Sequence, residues 1–599
     1  MTNMQKKVSP FQVLLILFFI ACIFCTISFS RQLIISLMEA LIGRKLQEMT
    51  KWNAVITGSM SFFAYCAAVL YYFMYIPFGK RVWSSVKETI LSVIKTESFF
   101  KHFLILFLII FVSYFAIIRA DYDFFDDMKR IISGHKSWVG ASRYVSEALS
   151  VFLHTNFYLN DISPLSQVIA ILVLSVSAYI LAFSVSDGKI TYLILTASLL
   201  FAICPFYIEN ISFKFDSPYM ALAMFFAIIP FLFKDDEKSF ASVSIISMIF
   251  MMTSYQAGNS IYIVLAIFFT LKKLLNGTDF KSVLRFAILS IICYSVSLII
   301  FRLFIMIPTA STISERDTTL ENVKLSGLII SNLKNYLKTV FTEYGNIWTK
   351  FFTLILAVIF PFAGGFNASQ NKRNESGYLR GFAAGFLLSL FALLLMILLS
   401  FGAYLIIGNT LINHRAFMGF DILISVIAVF PILYTSQKSK LHLIASICTI
   451  CLCYGFIVQA TVAGNLYSKQ KKYEEFRYSI LLQDLSEIID PSQNNKLLLD
   501  GQIGYATKTH MEHDNYHFVP IGNVTSGWAK YILQDWNMDL DYLQIEASSE
   551  RIARNPEFSK LKETLPVIKD TYYHKICGKN NVYYVYLKNP QVEEYEIKE

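Results

Sequence analysis

The amino-acid sequence predicts a polytopic α-helical membrane protein, a bundle of about 13 transmembrane helices followed by a small soluble α/β C-terminal domain. Two observations carry this. Of 599 residues, 55% are apolar and only 16% charged, with 53 Phe and 34 Tyr filling the deficit; soluble proteins carry roughly a quarter of their residues as charges. The apolar runs, such as 11–28, 54–76, 103–118 and 286–307, carry almost no charge and approach or exceed the roughly 20 residues that cross a bilayer as a helix. A soluble enzyme, an alternating transmembrane β-barrel and a disordered chain are excluded.

In chain order the apolar stretches centre on 11–29, 54–76, 102–118, 165–184, 190–207, 219–233, 240–255, 258–271, 284–307, 351–366, 381–407, 416–434 and 441–463. The start, with Lys6 and Lys7 ahead of an apolar stretch and no small-residue cleavage site, reads as a retained signal anchor. The pair at 240–271 is divided only by the mildly polar Ser254–Ser260. From Asn465 onward charges become frequent and no run could span, so 1–464 reads as the transmembrane domain and 465–599 as a soluble one. Lys469–Ile489 carries a helix signal, and Lys496–Leu499 and Val582–Leu587 carry strand signals.

Lysine and arginine in the short connections set the orientation. An inside N-terminus puts Lys80, Arg81, Lys189, Lys234, Lys238, Lys272, Lys273, Lys281, Arg285, Lys372, Arg373, Arg380, Lys438 and Lys440 on the cytoplasmic side. The shortest outer connections then hold only Lys214 and Arg415, and loop 30–53 alone runs against the rule. Loops 119–164 and 308–350 and the C-terminal domain all face outward. The net charge of +9 sits beside apolar runs and implies membrane anchoring, with no nucleic-acid partner. Eight of the nine cysteines lie in apolar runs and Cys577 has no partner in the polar region, so no disulfide or zinc framework is expected.

Four outward polar clusters stand out. Loop 119–164 opens with Arg119, Asp121, Asp123, Asp126, Asp127, Lys129 and Arg130, then Gly134-His-Lys-Ser-Trp138 and Arg143. On a helix Asp126 and Arg130 share a face, and adjacent carboxylates repel, which can poise one as a base. A solvated, ion-paired helix start is the plain alternative. Glu209–Pro218 places Lys214 and Asp216 between two spans, where an interfacial ion pair is the simple reading. Ser254-Tyr255-Gln256-Ala-Gly-Asn259 suits hydroxyl recognition or a turn, and His414-Arg415 holds a cation at a helix mouth, for a lipid phosphate or a headgroup. Segment 310–350 has apolar residues at helical spacing with interleaved lysines, as in an interfacial helix. Asp121-Tyr-Asp123 and His510–His517 are too short or unsupported as metal signatures, and no nucleotide loop is present.

Taken in order, these blocks resemble the O-antigen serotype-converting glucosyltransferases that use polyprenyl-phosphate-glucose. The resemblance rests on Asp126-Asp-Met-Lys-Arg130, Gly134–Trp138 with Arg143, Asp161–Gln167, Asn210–Ser217, Ser254-Tyr-Gln256, and His414-Arg415 with Met418-Gly419, across about residues 119–430. One position departs: Ala141-Ser142 stands before Arg143, where a glycine directly ahead of the arginine is expected. The resemblance implies a GT-C type bundle in a Gram-negative inner membrane, with its catalytic aspartate in the first long periplasmic loop. It implies undecaprenyl-phosphate-glucose as donor, the O-antigen repeat of lipopolysaccharide as acceptor, and functional links to a glucosyl-lipid flippase and a glucosyl-lipid synthase.

On that footing Asp126 or Asp127 is the expected base of a metal-independent inverting displacement that needs no cofactor. A phosphate leaving group departs as a stable anion, so one carboxylate suffices, unlike the pair used by glycosidases. Arg130, Lys214, Arg415 and Arg143 are candidates for the donor phosphate, and Trp138, Asp216, Tyr255, Gln256 and His414 for sugar. A GT-C transferase for another polyprenyl-linked sugar, or a lipid or polysaccharide flippase, are the alternatives. The outer domain's Tyr505, Tyr516, Trp528 and Trp536 suit either sugar stacking or core packing.

Overall fold

The computed structural model of the chain describes residues 9–26, 49–96, 98–306, 325–371, 378–408, 410–507, 509, 526–535, 543–547 and 556–590. Each of the thirteen apolar stretches centres on a helix. Among the described residues, eight helices are long and apolar enough to cross a membrane and five further apolar helices are shorter. The first six helices are α1 (Pro10–Thr26), α2 (Met49–Tyr75), α3 (Pro77–Ile94), α4 (Phe99–Ala120), α5 (Asp126–Ser133) and α6 (Tyr144–Leu153). Then come α7 (Leu165–Ser186), α8 (Tyr192–Ile203), α9 (Tyr207–Ser212), α10 (Ser217–Ile228), α11 (Glu237–Ser254), α12 (Asn259–Leu275) and α13 (Phe280–Ile300). The bundle closes with α14 (Leu325–Glu343), α15 (Ile347–Asn371), α16 (Tyr378–Leu399), α17 (Met418–Tyr434) and α18 (Lys440–Ile488).

Apolar side chains coat the outside as well as the inside. On α4, Phe100, Leu104, Leu108, Val112 and Phe115 are exposed at near four-residue spacing, while Leu106, Ile110, Tyr114 and Ile117 are buried. An exposed apolar stripe of that kind is at home in lipid, where backbone polar groups are satisfied inside each helix. At the centre lies α17, buried from Met418 to Ile432. In α18, Gly464 meets α4 so closely that a Cβ there would stand 2.3 Å from the Ala116 carbonyl carbon. Small residues at such crossings let backbones approach, where lipid supplies no hydrophobic driving force.

The 49 residues of α18, at 1.5 Å each, make a rod of roughly 73 Å, more than twice the hydrocarbon thickness. Its far half, which covers the predicted 469–489 helix, packs into a second core with the C-terminal sheet through Tyr478, Leu481 and Leu485. The sheet comprises β1 (Asn495–Gly501), β2 (Leu543–Ala547), β3 (Val567–Asp570), β4 (His574–Lys579) and β5 (Val582–Leu587), in the order β2-β1-β5-β4-β3. β1 runs parallel to both β2 and β5, and β4 runs antiparallel to its two neighbours β5 and β3. Helices α19 (Ser526–Asp535) and α20 (Pro556–Thr564) complete it. Residues 496–499 and 582–587 are strands as the pattern predicts.

Three features differ from the sequence expectation or extend it. The connection 77–94 is itself helix α3, and Tyr144–Leu153 forms an apolar helix inside the first long loop. The stretch 208–218 is no interfacial loop: Tyr207–Ser212 is helical and wholly buried. Of the segment 310–350, in which an interfacial helix is expected, residues 325–343 are helical as α14, with 307–324 outside the described residues. His510–His517, Tyr516 and Trp536 also fall outside them.

Candidate active site

The first long loop begins where α4 ends, with Asp121 in a left-handed conformation capping the helix. Phe125 has φ +45°, a conformation that side chains rarely adopt and that stores backbone strain. This turn starts α5 with both Asp126 and Asp127 in its first turn, where carboxylates suit the helix dipole. The two then diverge. Asp127 points inward and is fully buried; its Oδ2 accepts the Lys214 backbone N–H at 2.9 Å and its Oδ1 that of Phe215 at 3.5 Å. Asp126 is exposed and has no hydrogen-bond partner among the described residues. Burial pushes the Asp127 carboxyl well above the usual carboxylate range.

One turn further along α5, Arg130 pairs with Asp216 in a buried ion pair. Trp138 Nε1 donates to the other Asp216 oxygen at 2.6 Å, and the Arg130 guanidinium lies 5.0 Å from the Trp138 ring centre. Burial alone would raise the Asp216 carboxyl, but Arg130 outweighs it and holds that group below the usual range. The expected Asp126–Arg130 pairing along the helix therefore gives way to a long-range pair, because Asp216 is buried and needs the charge more. The expected Lys214–Asp216 pair does not form either. Lys214 Nζ lies 2.6 Å from both Asp121 and Asp123, which hold its ammonium above the ordinary lysine range despite burial.

Two more arginines face this hub. Arg143 stacks over the Tyr255 ring at 4.5 Å and donates from Nε to Gln256 at 3.2 Å; Gln256 in turn donates to the Ala141 carbonyl at 2.7 Å. Arg415 sits over Phe213 at 4.8 Å, its backbone N–H donates to Glu209 at 2.8 Å, and its guanidinium feels Asp126, Asp216 and Glu209. Gly419, at the head of α17, lets this turn seat against Ser400 and Ser260, where a Cβ would stand 2.1 Å from the Ser400 carbonyl oxygen. Ser142, ahead of Arg143, has φ +57°. That left-handed conformation is the one glycine adopts most readily, and serine occupies it here.

The structure thus brings Asp126, Arg130, Asp216, Arg143, Tyr255, Gln256 and Arg415 together at one end of the bundle, from segments up to almost 300 residues apart. Lys214 is neutralised by its aspartates. Trp138 is 1% exposed, with Tyr219 against its ring, so it holds Asp216 and offers no open face. His414 is buried with Nε2 at 2.6 Å from Glu343 of α14. Sequence reasoning did not single out Glu209 as the partner of Arg415, Glu343 as that of His414, or Asp421. Asp421 lies fully buried in α17 with neither oxygen hydrogen-bonded among the described residues. Its signal was legible: an aspartate inside an apolar run marks a functional position by default.

A helical membrane-spanning bundle that gathers carboxylates and guanidinium groups at one end has the makings of a membrane group transferase. The family model for glucosyl transferase GtrII matches residues 115–432, a little over half of the chain, and the protein belongs to that family. The match runs from the end of α4 to α17 and holds the whole cluster just described. No curated protein matches the chain.

Proposed function

We propose that the protein transfers glucose from undecaprenyl-phosphate-glucose to a sugar of the O-antigen repeat of lipopolysaccharide, at the periplasmic face of the inner membrane. The observation that carries the reading is the split between Asp126 and Asp127. Asp126 is an exposed side chain within electrostatic reach of Arg130 and Arg415, and Asp127 is a buried latch between α5 and the 214–215 backbone.

In this reading the acceptor hydroxyl gives its proton to Asp126 as its oxygen attacks the anomeric carbon of glucose. The bond from that carbon to the phosphate oxygen breaks, and its electron pair leaves with undecaprenyl phosphate. Attack opposite the leaving group inverts the anomeric centre. Arg415 and Arg143 hold the donor phosphate and stabilise the charge growing on it, fixed before the reaction by Glu209, Gln256 and the aromatic rings beneath them. Arg130 is committed to Asp216 and acts by holding α5 in place. Gln256 is the candidate contact to the glucose, and Tyr255, buried beneath Arg143, supports that arginine.

The test is mass spectrometry of O-antigen from cells with and without this chain, with the glucosyl-lipid synthase and flippase co-expressed. One added hexose per repeat, absent for Asp126→Asn/Asp127→Asn, is the expected result. An unchanged repeat mass with a well-expressed chain would overturn the proposal.

A further inference from the structure

We infer that a cavity between α5, the extension of α18 and α19 of the C-terminal domain is a binding subsite for the uncharged sugars of the acceptor glycan; this rests on the transferase reading above. The cavity has a volume of about 330 Å³, within the roughly 300–1,000 Å³ of small-molecule sites. Met128 and Ile131 of α5 line it on one side and Tyr531, Ile532 and Asp535 of α19 on the other, with Glu474 and Lys471 of α18 between. It lies off a different face of α5 from Asp126, since positions 128 and 131 project some 140–200° around the helix from position 126.

The charge of the lining assigns the ligand. Asp121, Asp123, Asp161, Glu475 and Asp535 stand against only Lys214 and Lys471, so a phosphate is repelled here and drawn instead to Arg143 and Arg415 across the helix. A divalent cation is disfavoured too, because among the described residues no three carboxylate, histidine or cysteine groups converge closely enough to hold a metal. Carboxylates spaced around apolar and aromatic side chains match a sugar, whose hydroxyls donate and whose C–H faces lie on rings. Glu474 gives an independent pointer. It is 6% exposed, and its Oε1 accepts from Tyr122 at 2.8 Å and Gln470 at 2.9 Å. Its Oε2 has no hydrogen-bond partner among the described residues, and the residue lines the cavity.

An acceptor that is a polymer presents neighbouring sugars as well as the reacting one. With the reacting hydroxyl at Asp126, the next residues of the chain must run along the protein, and this cavity lies on the other side of one short helix. The C-terminal domain, outside the matched 115–432, then selects which glycan is modified.

The experiment uses the full chain in nanodiscs, the O-antigen oligosaccharide released from the host cell as probe, and Tyr531→Ala, Tyr531→Phe and Asp535→Asn as variants. Titration calorimetry without donor should show binding to the wild type and about tenfold weaker binding to Tyr531→Ala and Asp535→Asn. Tyr531→Phe should keep most of the affinity, and the thermal midpoints of Tyr531→Phe and Asp535→Asn should stay unchanged, whereas Tyr531→Ala loses core packing and is read against Tyr531→Phe. With donor present, the acceptor KM should rise to match while kcat and the donor KM hold. Wild-type affinity in Tyr531→Ala and Asp535→Asn alike, no oligosaccharide binding by the wild type, or binding of calcium alone would overturn the inference. Transfer with wild-type acceptor KM in those variants would remove the subsite and leave the transferase reading standing. Oligosaccharide binding without any glucose transfer would remove the transferase reading and leave the sugar site.

Discussion

Asp126 and Asp127 are neighbours in sequence and opposites in environment: Asp127 is sealed against the Lys214 backbone N–H at 2.9 Å, and Asp126 stands open toward Arg415. Their shared helix is short, and its placement is fixed from outside by the Arg130–Asp216–Trp138 contact. The proposed chemistry follows from this division of labour.

Asp127→Asn should keep the acceptor atom that receives the Lys214 N–H, so activity should fall by less than about tenfold. The pH dependence separates the two forms further. A carboxyl whose folded pKa is raised stabilises the fold below the unfolded value, and that contribution is lost as pH rises toward the folded one. Thermal stability of the wild type should therefore decline relative to Asp127→Asn from about pH 4 upward. Parallel stability curves over pH 4–8 would contradict the buried latch.

Breaking the Arg130–Asp216 pair leaves one buried charge alone. Asp216→Ala or Arg130→Ala should each destabilise the protein by about 3–5 kcal/mol, and the double variant Arg130→Met/Asp216→Leu by less than either. Thermal unfolding in detergent measures this. Additive losses would show that the pair contributes nothing as a pair.

Arg143→Lys removes the planar cation stacked on Tyr255 and hydrogen-bonded to Gln256. Lysine cannot reproduce that geometry. The donor KM should rise by about tenfold or more with the acceptor KM unchanged, as steady-state kinetics at varied donor would show. An effect on the acceptor KM alone would move Arg143 out of the phosphate site.

Gly464→Val should be among the most damaging changes in α18, because no Cβ fits 2.3 Å from the Ala116 carbonyl carbon. Overpacking costs about 1–3 kcal/mol and would shift α18, which carries Glu474 and the C-terminal sheet. Normal folded yield of Gly464→Val and Gly464→Ser alike would contradict so close a crossing.

Transfer should persist in EDTA, since guanidinium groups supply the positive charge at the proposed phosphate site. Loss of activity restored by one added divalent ion would refute this.

The sequence made the bundle legible because twenty uncharged residues leave a chain few alternatives to a membrane helix. The ordered blocks likewise pointed to the residues that converge, Asp126, Arg130, Arg143, Asp216, Gln256 and Arg415. Pairings were less legible. Arg130 was expected beside Asp126 because helix periodicity is local, but its partner is set by burial of Asp216, 86 residues away in sequence. Lys214 was expected near Asp216 by adjacency, and the fold instead delivers Asp121 and Asp123 to it. Glu343 reaches His414 only through the docking of α14, which no spacing within either segment encodes. The join of the α18 extension, α5 and α19 is a tertiary contact of the same kind.

The most direct test of the central claim is single-turnover transfer in proteoliposomes loaded with undecaprenyl-phosphate-glucose and acceptor oligosaccharide. A positioned base contributes about 10²–10⁴-fold, so Asp126→Asn should slow transfer by that factor, with donor binding unchanged and an inverted anomeric centre in the wild-type product. Wild-type turnover in Asp126→Asn, or retained configuration at that centre, would contradict the account.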